Sequence, residues 1–299
     1  MNLNLNGTDY LVQNTISSRI DGDSTYALVD SDLNKYHLKV FCNEEEQSIK
    51  QKYEWLKALY AKGFPMAKPL EVGRCDLGNY LLSSWIEGVT VKKYLSSETD
   101  AFSYKIGRSA GDALKKLHSS DIVSRKSVSW ENRYVRKADQ TVSRYMDRPV
   151  RFDGDVKLLD TLSNMKYLLK ERPLTTLHLD FADHNMMLDV NGVLSVVDIF
   201  SRSDAYGDPY IDLYHIQFGY KHPNYYTGLV NAYFDDKPPS SFFSIMHFYC
   251  SYDLLMSINK KVDLGKWGNI RIAVDHAKRY LSHISAESPL PTWWVNRLE

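Results

Sequence analysis

The spacing of apolar residues changes character once along this chain, near residue 86, and that change limits the folds open to it. Before that point apolar residues fall in short runs at 26–29, 36–41 and 80–86, punctuated by turn formers such as Asp30, Ser31, Asp32 and Asn34. Runs of this length bounded by Asp, Asn and Ser predict strands. One helix interrupts them. Over 44–62 apolar residues recur at Ile49, Tyr53, Leu56 and Tyr60, and Gly63 follows as a C-terminal cap. Beyond residue 86 the period is helical at 106–118, 157–169, 210–218, 241–258 and 270–284. Inside that helical part, Met186–Leu188 and 194–199 flank Asn191-Gly192, a strong hairpin signal. The expected class is therefore α+β, with a small β-rich N-terminal lobe (1–86) and a large, mainly helical C-terminal lobe (87–299) that holds one hairpin.

Composition narrows the function classes. The 299 residues carry 37 Lys+Arg against 37 Asp+Glu, a net charge of zero. A dedicated nucleic-acid binder needs a net basic surface to neutralise phosphates, so nucleic acid is not an expected partner. With 43% hydrophobic and 13% aromatic residues, the chain is not a disordered solvating segment either. No window reaches the ~18 apolar residues of a membrane helix, and Met1–Tyr10 lacks the basic-then-apolar pattern of a signal peptide. Cys42, Cys75 and Cys250 are odd in number and widely spaced, which predicts neither a disulfide framework nor a CxxC metal site. A reduced, cytoplasmic protein is expected, and oligomeric state is not legible. The charge is uneven, however. Residues 125–151 are basic, and residues 198–236 hold six aspartates against Arg202 and Lys221.

Polar residues bracket the hairpin in a telling order. His178, Leu179 and Asp180 precede it, Asn185 opens it and Asp198 closes it. The order His-x-Asp-x4-Asn, a strand pair, then Asp matches the phosphoryl-transfer template of kinases. Asp180 would accept or orient a hydroxyl proton. Asn185 and Asp198 would supply hard oxygen ligands to Mg2+, an ion that keeps few protein ligands. Gly207-Asp208-Pro209 reads as a helix start with Asp208 as N-cap, and Asp208 and Asp212 are assigned to structure. The tryptophans Trp267, Trp293 and Trp294 read as packing residues.

These segments resemble a known family. LHLDFADHNMMLD (177–189), VVDIF (196–200) and YGDPYIDL (206–213) look like the aminoglycoside phosphotransferase and choline kinase superfamily, small-molecule kinases with a bilobal protein-kinase-like fold. YLLSSWIEG (80–88) and PPSSFF (238–243) are similar to Gram-positive phosphotransferases that act on aminoglycosides. The likeness runs over about 36–294. It departs at Leu179, where the family usually has Gly, and at Phe200-Ser201, which puts a second metal ligand in doubt.

The resemblance implies ATP and Mg2+ as cofactors, and a strand lysine on the α/β-phosphates paired with a helix glutamate. Lys39 fits the lysine; the alternative reading is an edge-strand lysine that discourages sheet pairing. Glu54 is preferred over Glu46 for the glutamate. Adenine would meet backbone groups near Ser84 and Ile86, and a loop at 17–25 would offer Ser24 and Thr25 to phosphate. His118 is read as structural. The implied activity is transfer of the ATP γ-phosphate to a hydroxyl of a small molecule. A polycationic aminoglycoside is the leading acceptor, suited by the aspartate-rich stretch and implying antibiotic resistance. Another amino-alcohol or sugar kinase, or a catalytically silent ATP-binding protein of the same fold, are the alternatives.

Overall fold

The computed structural model describes residues 1–18, 22–96, 100–120, 130–199, 206–285 and 288–294. By contacts the chain divides into two compact units, Met1–Tyr94 with Asp183–Ser201, and Leu95–Ala182 with Arg202–Glu299.

In the first unit β1 (Asn2–Leu5) and β2 (Thr8–Ser18) form a hairpin that the sequence reading did not foresee. Leu3 and Leu5 are buried while Asn2 and Asn4 face water, the two-residue period of a strand. Asn6 and Gly7 turn the chain with φ of 46° and 89°, both positive as a two-residue primed turn demands. Next come β3 (Ser24–Val29), β4 (Lys35–Phe41), α1 (Glu46–Ala61), β5 (Pro69–Cys75) and β6 (Gly78–Ser84). Among the described residues six strands make one antiparallel sheet in the order β1-β2-β3-β4-β6-β5. Leu3, Leu5, Leu28, Leu38, Val40, Tyr80 and Leu82 form its core, each apolar side chain contributing about 1.5–3 kcal/mol by burial.

Of the expected phosphate loop at 17–25, Ser17 and Ser18 end β2, and residues 19–21 lie outside the described residues. Ser24 and Thr25 begin β3, pairing with Val40 and Lys39 on one side and with Ser18 and Ser17 on the other. The unit continues with β7 (Val89–Thr90), and α2 (Val91–Leu95) lies at its edge.

The helical part opens with α3 (Asp100–His118), α4 (Trp130–Met146) and α5 (Asp155–Asn164), followed by β8 (Thr175–Thr176). The embedded hairpin is β9 (Met186–Leu188) and β10 (Leu194–Val196). It groups with the first unit, not with the helical part around it in sequence. β9 pairs with β7, and the Val196 N–H donates to the Pro65 carbonyl at 2.7 Å. Gly88, at φ 148°, lets β7 approach this closely, since a Cβ there would collide with the Leu188 carbonyl. The turn is longer than Asn191-Gly192 suggests: Leu188 pairs with Leu194, and Asp189 Oδ1 accepts the N–H groups of Asn191 and Val193, each at 2.8 Å.

The second unit also contains β11 (Tyr206–Gly207), α6 (Pro223–Tyr233), α7 (Phe242–Asp263) and α8 (Trp267–Ser282). α7 is buried along most of its length, with Phe242, Ile245, Phe248, Tyr249, Leu255 and Ile258 inside. α4 buries Trp130, Tyr134, Ala138, Thr141 and Tyr145 at steps of three and four. Its buried face is aromatic and small rather than aliphatic, so the basic residues around it masked the helix in the sequence. The span 157–169 is not one helix: α5 stops at Asn164 and a 3-10 turn, Lys166–Leu169, follows. The span at 210–218 is likewise a 3-10 helix, Pro209–Phe218, with Asp208 accepting from the Tyr210 N–H at 2.9 Å as its N-cap. Trp293 and Trp294 pack as expected, Trp294 against Phe243. Trp267 does not; it is 64% exposed at the start of α8. No helix among the described residues is long and apolar enough to cross a membrane.

Candidate active site

In the second unit, the segment carrying Asp180 is held by buried polar groups. The Asp212 carboxylate, inside the 3-10 helix Pro209–Phe218, accepts the backbone N–H of His178 and of Leu179, each at 2.6 Å. His118 Nε2 lies 3.0 Å from the same carboxylate, and His118 Nδ1 lies 2.8 Å from the Tyr233 hydroxyl. An ionised carboxylate only accepts, so His118 Nε2–H donates to Asp212. Charge-assisted N–H bonds of this kind are among the strongest in proteins. They hold Leu179 at φ 67°, a left-handed conformation that costs a non-glycine residue about 1–2 kcal/mol. His178 is buried and meets Phe181 edge-on. Asp180 is different. Its side chain is 43% exposed, and its Oδ1 lies 3.2 Å from His215 Nε2. A rigid backbone presenting a solvent-accessible carboxylate is what a residue that takes or steers a hydroxyl proton requires.

Asp208 is structural. Its fully buried carboxylate receives Arg172 at 2.5 and 3.0 Å and the Tyr249 hydroxyl at 2.7 Å, while Arg172 also lies 4.1 Å over the Tyr210 ring.

The first unit gathers a second set of groups. Lys39 on β4 reaches Asp198 at 2.6 Å, and the two side chains are 13% and 31% exposed. Thr25 is the cross-strand partner of Lys39, so their side chains share a face of the sheet. Beside them His37 is held neutral; burial first, then the Lys39 charge, lowers its pKa to about 4 against the pull of Asp198. Asn185 is buried, and its carbonyl accepts the Val197 N–H at 2.9 Å, which ties the start of β9 to the residue before Asp198. Asp198 itself sits at φ 55°. An amide oxygen and a carboxylate on two segments laced by that bond form a hard donor set that suits Mg2+.

Glu54 is not the partner of Lys39. It is 67% exposed and pairs with Lys57 at 3.4 Å, and Glu46 likewise pairs with Lys50 at the surface. Ile49, Leu56 and Leu59 define the buried face of α1, and Glu54, two residues before Leu56, points away from it. The inward polar residue is Lys52, which binds Glu44 at 2.6 Å and lies 5.2 Å over the Phe41 ring. Lys39 lies 5.7 Å over the same ring.

Ser84 is committed to its neighbour: its N–H donates to the Lys68 carbonyl and its hydroxyl accepts the Lys68 N–H, both at 2.9 Å. Ser24 bonds Ser18 and the Gly22 carbonyl, both at 3.4 Å.

The described aspartates of the aspartate-rich stretch all have partners. Asp208 and Asp212 are buried in the bonds above, Asp235 pairs with Lys115 and Asp236 with Arg108. Residues 200–205, including Ser201, Arg202 and Asp204, lie outside the described residues. In the basic stretch Arg144 and Arg148 both bind Asp263.

Two features missed by the sequence reading complete the picture, His215 and the role of Asp212 in bonding the Asp180 loop. Their signal was the Asp-x-x-His spacing in a segment read only as a helix.

An antiparallel sheet carrying a strand lysine, followed by a helical body with an Asp-bearing loop, defines a kinase-like phosphotransferase fold. The profile of the phosphotransferase enzyme family (APH) matches residues 14–243, and the chain belongs to that family. A search of curated proteins finds no match. Solved structures agree on the fold. A thermostable mutant of aminoglycoside phosphotransferase APH(4)-Ia, apo form, is 16% identical with a TM-score of 0.65 over 91% of this chain and 94% of that one. The GDP complex of aminoglycoside 2'-phosphotransferase-IIIa is 10% identical with a TM-score of 0.63, over 90% and 93%. The gentamicin–APH(2'')-IIa complex is 16% identical with a TM-score of 0.55, over 89% and 91%.

Proposed function

We propose that this chain transfers the γ-phosphoryl group of ATP to a hydroxyl of a small molecule, with an aminoglycoside-like compound as acceptor. The observation that carries the reading is Asp180, a solvent-accessible carboxylate on a loop fixed by Asp212. Family membership supports it, as do similar structures that hold AMP-PNP with hygromycin B, ADP with hygromycin B, or gentamicin.

In this reading the first unit is the nucleotide lobe. Lys39 exchanges Asp198 for phosphate oxygens, with the Thr25 hydroxyl on the same face, and the connector at Ile86 meets adenine. Asn185 and Asp198 would hold Mg2+, which when bound neutralises charge on the phosphate oxygens. The acceptor oxygen forms a bond to the γ-phosphorus as the bond to the bridging oxygen breaks. The hydroxyl proton passes to Asp180. Of the described aspartates of 198–236, Asp208 and Asp212 are buried in internal bonds, so a cationic acceptor would meet Asp235 and Asp236 rather than these two.

The test is a coupled assay of Mg·ATP against hygromycin B, gentamicin, simple amino-alcohols and sugars, with thermal shift on Mg·ATP and Mg·GTP. Asp180→Ala should lower turnover by about 10²–10⁴ while the nucleotide shift persists. Near-full turnover in that variant would sink the assignment. A nucleotide shift without turnover on any acceptor would favour a silent nucleotide-binding role.

A further inference from the structure

His215 stands three residues after Asp212 in the 3-10 helix Pro209–Phe218. Such a helix has three residues per turn, so residues i and i+3 lie one above the other. Asp212, His215 and Phe218 therefore share one face. All three have a defined use along it. Asp212 takes the N–H groups of His178 and Leu179. His215 meets the Asp180 carboxylate through Nε2. Phe218 stacks on the His215 ring at 6.0 Å and 23°, and Tyr214 packs against it at 4.1 Å.

We infer that His215 is a positioning residue for Asp180: its Nε2–H donates to Asp180 Oδ1 and fixes the carboxylate on a loop whose backbone Asp212 already fixes. One helix face thus holds three consecutive residues, two by their backbone and the third by its functional side chain. The tautomer follows from chemistry, because an ionised carboxylate accepts and cannot donate. Bonded to Nε2–H, the carboxylate loses rotational freedom about its side chain and stays oriented toward solvent, where an acceptor hydroxyl would arrive.

A second carboxylate faces the pair from α7. Asp253 interacts electrostatically with both His215 and Asp180, receives the Gln217 amide N–H at 2.9 Å, and has its pKa raised by burial. Gln217 Oε1 in turn lies 3.1 Å from His276 Nε2, and His276 Nδ1 lies 3.2 Å from the Tyr220 hydroxyl. Burial lowers the His276 pKa to about 4. The imidazole is therefore neutral, with Nε2 donating to Gln217 and Nδ1 accepting from Tyr220. That chain fixes which end of Gln217 faces Asp253, and so steadies the second carboxylate behind His215.

The inference rests on the reading of Asp180 given above, and the experiment separates the two. His215→Phe keeps a ring for Tyr214 and Phe218 to pack on and removes the N–H donor, whereas His215→Gln retains a donor. Full-length variants would be assayed on Mg·ATP with hygromycin B, and in a parallel arm with water as acceptor, beside Asp180→Ala. His215→Phe should lower kcat by about 10- to 100-fold, the range for a lost hydrogen bond to a charged group. The KM for ATP should stay within about twofold, and His215→Gln should recover most of the loss.

If Asp180→Ala keeps its turnover, the functional reading fails. If Asp180→Ala is inactive but His215→Phe stays within twofold of wild type, or is faster, the positioning role alone is overturned. Long-range 1H–15N imidazole spectra supply a readout independent of turnover, and they decide the matter if His215→Phe does not fold. His215 should show the Nε2-protonated tautomer, with a shift that changes in Asp180→Ala. A bare Nε2 in the wild-type protein would overturn the contact.

Discussion

At the scale of single residues, the Asp180 loop combines strain with support. Leu179 occupies φ 67° where the resembled family usually has glycine, and its N–H is anchored by Asp212 at 2.6 Å. Replacing Leu179 by Gly would relieve about 1–2 kcal/mol of backbone strain, set against the extra chain entropy of glycine in the unfolded state, about 0.4–1 kcal/mol. Leu179→Gly is therefore expected to leave folding free energy within about 1 kcal/mol of wild type and turnover within about twofold. Leu179→Val, β-branched at a positive φ, should cost more than 1 kcal/mol. Urea midpoints of the two variants check this; equal midpoints would show that the strain is absent. The order and spacing of Asp180, Asn185 and Asp198 were legible in the sequence, and Lys39 was legible through the family resemblance. The partner of Lys39 was not, because spacing along a helix does not say which face turns inward. Only the burial of Ile49, Leu56 and Leu59 shows that Glu54 points outward and Lys52 inward.

At the scale of elements, the closest helix pair is α3 with α6, and glycine makes it possible. A Cβ on Gly107 would collide with the Tyr225 carbonyl, one on Gly111 with the Leu229 carbonyl, and one on Gly228 with the Tyr104 carbonyl. In an ordinary exposed helix Gly→Ala gains up to about 1 kcal/mol. Here Gly107→Ala and Gly111→Ala should instead destabilise by about 1–3 kcal/mol, the cost of overpacking a close contact. Thermal unfolding checks the sign, and a higher Tm for either variant would refute the close packing. Turns show a related limit of sequence reading. Both Asn-Gly pairs close hairpins, yet Asn6-Gly7 forms the two-residue turn with both φ positive, while Asn191-Gly192 lies in a longer loop organised by Asp189. The dipeptide is the same. The side chain two residues before the Asn differs in what it binds: Asn4 Oδ1 accepts the Gly7 N–H, whereas Asp189 Oδ1 accepts the N–H groups of both Asn191 and Val193.

Across the whole molecule, buried histidines, His37 among them, lower stability on mild acidification. His247, between Thr161 and the Tyr280 hydroxyl, and His276, between Gln217 and Tyr220, are each lowered by burial to about 4 from 6.5. Between those values the unfolded chain binds more protons than the folded one, so stability falls as pH drops from 6.5 toward 4. Each histidine contributes a slope of up to about 1.4 kcal/mol per pH unit in that window, and none above it. Asp253, whose pKa burial raises, favours the folded state as it protonates and so opposes that loss. Urea unfolding at pH 7 and pH 5 should show His247→Gln and His276→Gln with shallower pH dependence than wild type. Parallel curves would refute the assignment.

The α+β class, the residue order His178, Asp180, Asn185, Asp198, and the family likeness can all be read from the chain before it folds. Each of these is a matter of local period or spacing, which the chain carries in one dimension. Tertiary structure decided which unit the hairpin joins, that Asp212 and His215 meet the Asp180 loop, and that Asp208 and Asp212 are buried while Asp235 and Asp236 form surface ion pairs. Those outcomes depend on which side chains meet across tens of residues of intervening chain, and only packing fixes that.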